Sequence, residues 1–394
     1  MSDIPIAIIG GGVIGCATAW KLSSWYKNIF LFEKNPGIIR GENQSSRNSG
    51  VIHSGIYYDQ ETRPQKAVLC VKGNKLLYDF CTDHNVPAKR TGKLIVAVNN
   101  AEDKILDTYL KRALLNNVPG VKKISGSQVS RLEPNVRAFS ALLVPSAGIV
   151  EPSELVYRLY TVASNNGVEF MTETEIIGLK KKGDEILLDI RYPDNKTDQI
   201  CSSLVINAAG VNADMIARMV NPESFYELDP IRGDTYKFYN YKHPGLFLSG
   251  MNVYPTPELI TTPDGSHFTV GVHLSPTFGD SSETSFPGNI VTVGPKLVSV
   301  KNRDDLAETP LLKADLFSEK ARTFFPNLKT NDLKWHQSGI QARLKGYPDF
   351  EIIKDPLNPG IINILGIDSP GLTSCLSIAQ FVVEMVNNKF SQGA

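Results

Sequence analysis

The feature that most constrains this chain is a short apolar strand that runs directly into a glycine-rich turn. The strand Ile4–Ile9 is followed by Gly10, Gly12 and Gly15 in G-x-G-x-x-G spacing, and Glu33 closes the next apolar run. The first glycine permits a tight turn, the second lets a pyrophosphate approach the backbone, and the third lets a helix pack close to the strand. A carboxylate about 20 residues on is placed to hydrogen-bond ribose hydroxyls. The pattern favours a dinucleotide site over an ordinary tight turn, because the strand, helix and acid that the motif requires are all present.

Length, charge and cysteine usage narrow the class of protein. The 394 residues predict two to three lobes, and 41 basic residues balance 41 acidic ones, so nucleic acid is not expected as a partner. The 5 cysteines are odd in number and include no C-x-x-C pair, which indicates free thiols in a reducing compartment and no metal site. The first strand begins almost at once and no apolar stretch is long enough to span a bilayer, so we expect a cytoplasmic protein, with peripheral membrane contact left open.

The order of patterns along the chain predicts an α/β (α+β mixed) fold. Residues 4–32 have the pattern of a strand, an amphipathic helix and a strand, and the apolar run 204–210 returns the chain to the same sheet after a polar loop at 192–199. Residues 226–335 alternate aromatic and polar side chains between many prolines and glycines, which is typical of antiparallel sheet. We therefore expect a Rossmann-like lobe and a mostly antiparallel-sheet substrate lobe with interleaved segments. The expected nucleotide-binding lobe comprises residues 1–90, 145–225 and 336–394, and the substrate lobe residues 91–144 and 226–335.

Three remote segments favour FAD among the dinucleotides. A nicotinamide enzyme needs only the first fingerprint, whereas a flavin enzyme must also cradle the isoalloxazine ring. Residues 42–58, beginning at Glu42, supply hydroxyl, arginine and asparagine side chains for phosphate oxygens, and glycines that let backbone approach a flat ring. Residues 205–210 end a buried strand, and residues 366–373 open a helix whose positive end can face the flavin. Each segment alone is also compatible with a capped helix or a turn, but together and in this order they favour FAD.

Several short runs carry a resemblance to a known family. They are N-S-G-V-I-H-S-G-I-Y-Y at 48–58, I-R-G-D-T-Y at 231–236, Y-P-T-P at 254–257, G-V-H-L at 271–274, V-G-P at 293–295 and L-G-I-D-S-P-G-L-T-S at 365–374. On these runs the chain resembles the D-amino-acid-oxidase-type flavoproteins and, within them, the L-2-hydroxyglutarate dehydrogenase or oxidase group, over nearly its whole length. The resemblance implies a non-covalent FAD in a lobe built from both ends and the middle of the chain, with the substrate lobe over the flavin.

The predicted cofactor residues come from the fingerprint, the three remote segments and the resemblance. They are Gly10, Gly12, Val13, Ile14, Gly15, Glu33, Lys34, Ser45, Ser46, Arg47, Asn48, Ser49, Gly50, Ile176, Ala208, Gly210, Gly366, Gly371, Leu372 and Thr373.

The sequence departs from the family pattern in two places. Gln341 stands where the family commonly has arginine in a G-I-R stretch, and Arg343 follows two positions later. The family's R-G-E-Y-Y is here R-G-D-T-Y at 232–236. A lost arginine would remove one carboxylate anchor, so the identity of the substrate stays open.

Oxidation of a 2-hydroxy acid requires hydride transfer to flavin N5 and a base for the hydroxyl proton. Histidine titrates near neutral pH, so the candidates are His53 in the flavin-proximal run and His273 in a predicted apolar strand over 268–274. Each is alternatively a structural histidine. Arg232 and Arg343, both beside glycines in turn-like settings, are candidate carboxylate anchors or, alternatively, members of surface salt bridges. Residues of second rank for the substrate pocket are Tyr57, Tyr58, Tyr236, Tyr254 and Gln341.

Four functions compete. The resemblance makes oxidation of L-2-hydroxyglutarate to 2-oxoglutarate the leading hypothesis, with oxygen, a quinone or an electron carrier as the electron acceptor. The same resemblance admits a glycerol-3-phosphate dehydrogenase or an amino-acid oxidase. A flavin-binding module without turnover is the alternative of another class.

Overall fold

The computed structural model describes residues 3–41, 43–262, 265–278, 289–304, 306 and 309–390, with the backbone alone for 259–262, 265–269 and 388–390. Glu42, the first residue of the expected flavin segment, lies outside the described residues. The strands are β1 Ile4–Ile9, β2 Ile29–Phe32, β3 Val51–Ile52, β4 Ala88–Lys89, β5 Lys93–Ala97, β6 Lys122–Ser125, β7 Ser140–Val144, β8 Gly148–Val150, β9 Glu169–Met171, β10 Glu175–Lys182, β11 Glu185–Arg191, β12 Thr197–Asn207, β13 Leu228–Tyr239, β14 Asn252–Pro255, β15 Glu258–Thr262, β16 Gly265–Thr269, β17 Leu274–Pro276, β18 Ile290–Ser299, β19 Leu333–Leu344, β20 Glu351–Lys354 and β21 Ile361–Leu365. The helices are α1 Val13–Ser23, α2 Pro64–Asp83, α3 Asn100–Leu115, α4 Gly126–Leu132, α5 Pro152–Asn165, α6 Ala213–Val220, α7 Ala314–Arg322 and α8 Gly371–Phe390.

The first sheet is the predicted nucleotide-binding sheet. Its strand order is β10-β11-β12-β1-β2-β9, with β21 and β20 joined to it through β12. Strand β1 is parallel to both β2 and β12, and β12 is parallel to β21, so the chain does return to this sheet as the sequence indicated. The polar loop is shorter than expected, because β12 begins at Thr197.

Helix α1 lies beneath this sheet and packs against α5 and α8. Its buried residues run through most of its length and circle the helix, so the prediction of an amphipathic helix is wrong. Neighbours on both flanks cover the helix, and a helix buried all round needs no polar face. Helix α2 also packs on α8, which places α8 at the centre of the core beside the first sheet.

The second sheet is mostly antiparallel, and its order is β19-β13-β18-β17-β14-β5-β7-β6. Strands β5 and β14 are parallel neighbours within it. Helix α7 packs on β18 and β19 and was not anticipated in the stretch 226–335. Strand β19 belongs entirely to this sheet, so the expected lobe boundary at residue 336 falls inside a strand. The long antiparallel pairing of β19 with β13 keeps the residues on both sides of this boundary in the second sheet. The rest of the division into lobes stays a prediction.

The mixed α/β prediction is confirmed by these two sheets and their helices. The five cysteines are buried and unpaired, as expected. Among the described residues, none of the helices is both long and apolar enough to cross a membrane, and these residues contain no cluster of three side chains suited to a metal ion.

Candidate active site

A cavity of about 990 Å³ is lined by residues from both sheets. That volume lies at the upper end of the range for small-molecule sites, which is about 300–1,000 Å³. The three remote segments and the glycine turn, which are far apart in sequence, all reach its wall. The predicted residues on the wall are Gly12, Val13, Ile14, Ser45, Arg47, Asn48, Ser49, His53, Tyr57, Tyr58, Ala208, Gly210, Tyr254, His273, Gln341, Arg343, Gly371 and Leu372.

The glycine turn has the geometry that the fingerprint requires. Gly10 has a φ of +103°, and a Cβ atom there would lie 2.5 Å from the carbonyl oxygen of Ala208. A Cβ atom on Gly15 would collide with the carbonyl oxygen of Gly10, so α1 approaches β1 only because this residue is glycine. The Ser45 hydroxyl accepts a hydrogen bond from the backbone N–H of Val13 at 3.0 Å, which ties the remote segment 42–58 to the start of α1.

Glu33 braces the glycine turn. Its Oε2 accepts a hydrogen bond from the backbone N–H of Gly11 at 2.6 Å, and its Oε1 accepts from the backbone N–H and side-chain amide of Asn35 at 2.8 and 2.7 Å. The buried carboxylate stands behind the turn and is not part of the cavity wall, and Lys34 is exposed outside it. Contact of Glu33 with a ribose stays a prediction.

Other predicted cofactor residues support the wall from behind. The Ser46 hydroxyl donates to the carbonyl oxygen of Asn43 at 3.1 Å, and the Thr373 hydroxyl accepts from the backbone N–H of His53 at 2.9 Å. Gly50 and Gly366 lie at positive φ outside the cavity lining. Ile176 lies in β10 with its side chain buried in the core and is not part of the cavity lining, so its contact with the cofactor stays a prediction.

His53 is held by its backbone and has a ring nitrogen without a partner. Its carbonyl oxygen accepts from the Asn74 side-chain amide at 2.7 Å, and its Nε2 lies 3.4 Å from the Ser369 hydroxyl. Its Nδ1 is buried with no hydrogen-bond partner among the described residues. Burial lowers the pKa of His53 well below its ordinary value, and the charge of the nearby Lys93 lowers it further.

His273 lies on the same wall and is also neutral. Its ring stacks on Tyr254 with centroids 3.8 Å apart, and its Nδ1 lies 3.1 Å from the Gly271 carbonyl oxygen. Its Nε2 is buried with no hydrogen-bond partner in the described part of the chain. Burial lowers the pKa of His273 to about 3. The residue precedes β17 instead of lying within a strand, so the predicted strand over 268–274 is wrong.

The two arginines expected to act alike occupy different environments. Arg343 is half-buried on the cavity wall, in the long strand β19 and not in a turn. Arg232 has no exposed surface, and its Nε and Nη2 donate to the Asp234 carboxylate at 2.8 and 3.2 Å. It also donates to the carbonyl oxygens of Thr309 and Pro310. The structure therefore corrects its assignment as a carboxylate anchor, because its donors are used within the protein and face away from the cavity.

Tyr236 is likewise removed from the site. Its hydroxyl donates to the Leu312 carbonyl oxygen at 2.9 Å, and its ring packs on Phe317 and Trp335 in the core of the second sheet. Tyr57, Tyr58 and Tyr254 do line the cavity, as does Gln341.

A basic corner of the cavity was missed by the sequence analysis. Lys66 lies 2.7 Å from Asp368 Oδ1, and Arg343 Nε lies 3.9 Å from Asp368 Oδ2. Arg63 also lines the cavity, and its charge acts on Tyr58 beside Asp368 and Ser369. Lys66 is buried on α2, where no local pattern distinguishes it from a solvated helix lysine. We call Arg63, Lys66, Arg343 and Asp368 the basic corner.

Comparisons with known proteins agree with this geometry. The sequence matches the family described as DAO, FAD dependent oxidoreductase, over residues 5–385. It is 30% identical to the mitochondrial L-2-hydroxyglutarate dehydrogenase of Arabidopsis thaliana, over 98% of this chain and 83% of that protein. It is 29% identical to the glycerol 3-phosphate dehydrogenase of Caloramator mitchellensis, over 97% of this chain and 74% of that protein. The fold superposes with a TM-score of 0.83 on the dithionite-reduced L-alpha-glycerophosphate oxidase of Mycoplasma pneumoniae with FAD bound, at 25% identity, covering 97% of this chain and 94% of that one.

Proposed function

Because this chain belongs to the DAO family of FAD-dependent oxidoreductases, we propose that it oxidises a small 2-hydroxy acid with a second acidic group to the 2-oxo acid, with L-2-hydroxyglutarate as the leading substrate. The observation that carries the proposal is the juxtaposition of a neutral histidine and a basic corner on one cavity wall. Ser369 and Asp368 are consecutive residues, the first beside His53 and the second between Lys66 and Arg343.

The residues present fit FAD. The Gly12 turn and Ser45 offer bare backbone and a hydroxyl for the pyrophosphate, and Gly371 and Leu372 place the first turn of the 20-residue helix α8 on the cavity wall. Within the described part of the chain, one buried ring nitrogen of His53 and one of His273 have no hydrogen-bond partner, and such atoms usually indicate a missing ligand. FAD, when bound, supplies the acceptor for the two electrons of the oxidation.

His53 is proposed to take the hydroxyl proton of the substrate. A base must be unprotonated at working pH, and the lowered pKa of His53 keeps its imidazole neutral at pH 7. The backbone hydrogen bonds to Thr373 and Asn74 fix the position of the residue, and Ser369 lies within reach of Nε2. The ring can therefore accept a proton at Nδ1 or Nε2 without rearrangement of the backbone.

The basic corner is proposed to hold the acidic groups. Arg343 presents a guanidinium fork that matches a carboxylate, and Arg63 and Lys66 add two further charges against the single carboxylate of Asp368. The basic corner therefore has three positively charged side chains and one carboxylate, and this excess of positive charge suits a substrate with two negative charges. This supports a hydroxy diacid over lactate, which carries one carboxylate.

Glycerol 3-phosphate is the second candidate, because a phosphate is also a dianion that fits a basic corner. The relative from Caloramator mitchellensis and the structure from Mycoplasma pneumoniae, by their names, favour it. The electron acceptor is proposed to be oxygen, a quinone or an electron carrier. The cytoplasmic location and any peripheral membrane contact stay predictions.

The test is an anaerobic titration of the purified flavoprotein, in which loss of the oxidised flavin band near about 450 nm reports electron transfer. The substrates to compare are L-2-hydroxyglutarate, its D enantiomer, L-lactate, L-glycerol 3-phosphate and L-glutamate. We expect rapid bleaching by L-2-hydroxyglutarate alone. Fast reduction of the flavin by glycerol 3-phosphate or by glutamate instead would identify that compound as the substrate. If none of the compounds reduces the flavin, the result would favour a binding module without turnover.

A matched variant separates catalysis from binding. We expect His53→Gln to keep bound flavin but to slow its reduction about 10²–10⁴-fold, since that is the usual contribution of a general base. An unchanged rate of reduction would remove His53 from the proposed mechanism.

A further inference from the structure

Lys93 is a buried cation that the proposed mechanism does not use. It opens strand β5 and has 0% of its surface exposed. Its Nζ has no hydrogen-bond partner among the described residues. Burial of an unpaired ammonium group is costly, so a lysine in this position calls for a function or a compensating contact.

Aromatic rings provide its nearest contacts. The Nζ lies 3.8 Å from the ring centroid of Tyr254 and 5.5 Å from that of Tyr57. His273 stacks on Tyr254 at the same centroid distance of 3.8 Å. Two groups this close cannot share one face of the ring, so Tyr254 lies between Lys93 and His273. Tyr57, Tyr254 and His273 line the cavity, whereas Lys93 lies directly behind them.

The titratable groups around Lys93 come from several elements and include no carboxylate in the described structure. Cys70 on α2 would favour the ammonium form as a thiolate, but burial raises the pKa of its thiol to about 12, so it stays uncharged near neutral pH. His53 after β3 and His273 before β17 are both neutral and both feel the charge of Lys93. Tyr57 and Tyr254 complete the surroundings. Burial lowers the pKa of Lys93 to about 7, which is above the lowered values of both histidines.

We propose that Lys93 is a positioning residue, which braces Tyr254 from behind the cavity wall and places a positive charge next to the two cavity histidines, so that His53 remains a proton acceptor below neutral pH. Interacting groups titrate as a set, and the first proton goes to the member with the highest affinity. The charge on Lys93 then opposes protonation of the histidines. The inference rests on the proposed function only in taking His53 as the base.

The experiment follows the titration of His53 directly by NMR of ¹⁵N-histidine in the flavin-loaded protein without substrate. The chain has 6 histidines, and His53→Gln assigns the relevant signal. The variants are Lys93→Met, which keeps the length without the charge, and Lys93→Arg, which keeps the charge. Lys72→Met, at an exposed lysine of α2, is the matched control.

We expect Lys93→Met to raise the pKa of His53 by about one unit, the lower end of the usual effect of one neighbouring charge. The acid limb of the kcat/KM profile should move to higher pH by the same amount, about a tenfold shift in proton concentration. Lys93→Arg and Lys72→Met should leave both unchanged. A His53 pKa that is the same in Lys93→Met and in the parent protein would overturn the proposal, even if activity is lost.

A second measurement does not depend on a folded variant. Titration of ¹⁵N-lysine protein should show one ammonium signal with a pKa near neutrality, and titration of every lysine above about pH 10, the ordinary range, would contradict the proposal. Both readouts are independent of substrate. If no hydroxy acid reduces the flavin, the proposed function fails while the inference about Lys93 is still tested.

Discussion

At the scale of single residues, two arginines with similar neighbours in the sequence show that burial determines whether a side chain can bind a substrate. Arg232 and Arg343 both stand close to glycines and were expected to bind carboxylates. Arg232 donates hydrogen bonds to Asp234 and to two backbone carbonyl oxygens. Arg343 instead lines the cavity. Only the pairing of distant strands distinguishes them, and that pairing has no local signature.

We predict that Arg343→Met raises KM for the hydroxy acid about 10–100-fold, because a charge-assisted hydrogen bond contributes about 1.5–3 kcal/mol. Arg343→Lys should recover part of the loss, since it keeps the charge without the fork. Steady-state kinetics with the best substrate from the titration panel would measure both variants. An unchanged KM in Arg343→Met would exclude this residue as an anchor.

Arg232→Met is the contrasting variant. Removal of one member of a buried ion pair leaves Asp234 uncompensated and typically costs about 3–5 kcal/mol. We therefore expect a lower free energy of unfolding in denaturant titrations, with KM unchanged in the folded fraction. A raised KM at full stability would restore Arg232 to the binding site.

At the scale of elements, the sequence predicted best where the signal is local. The β1–α1–β2 unit and the start of helix α8 within residues 366–373 were placed within a few residues, because glycine spacing and apolar runs are visible in consecutive positions. Helix α7 and the full length of β19 were missed. Strand β19 depends on its long antiparallel pairing with β13, which a single sequence does not display.

The contact between α2 and α8 allows a test at this scale. A Cβ atom on Gly73 would lie 2.5 Å from the Thr373 carbonyl oxygen and 2.8 Å from Ser374 Cα. We expect Gly73→Ala to lower the free energy of unfolding by about 1–3 kcal/mol, the usual cost of overpacking. Activity should fall as well, because Thr373 holds the backbone of His53. Lys75→Ala, on the exposed side of α2, is the control in the same urea titration, and equal stability of the two variants would contradict the packing argument.

At the scale of the whole molecule, one cavity is assembled from parts of the chain that are hundreds of residues apart. The glycines and polar side chains of the three remote segments indicated that these segments come together, and they do line one cavity. No motif indicated Lys66, Arg63 or Lys93, whose positions depend on how α2 and β5 pack. Which lysine is buried is a property of the assembled molecule, and composition does not reveal it.

FAD should therefore stabilise the whole fold. A ligand that binds only the folded state at about 100 times its Kd adds about 2.7 kcal/mol, which corresponds to a rise in Tm of about 3 °C for a chain of this size. Calorimetry of the apoprotein before and after addition of FAD would measure the change. Equal Tm values at saturating FAD would mean that the cavity does not bind the cofactor in the folded state.

The position of β12 between β1 and β21 also bears on how the protein is made. Strand β1 emerges first from the ribosome, yet its neighbour β12 ends at Asn207, and β12 itself pairs with β21, which ends at Leu365. At about 5–20 residues per second, the open edge of the early strands waits for tens of seconds before its neighbours are translated. The cavity is also lined by residues that follow β21, so its wall is complete only after that part of the chain has been made, and the unpaired strand edge is open to aggregation until then.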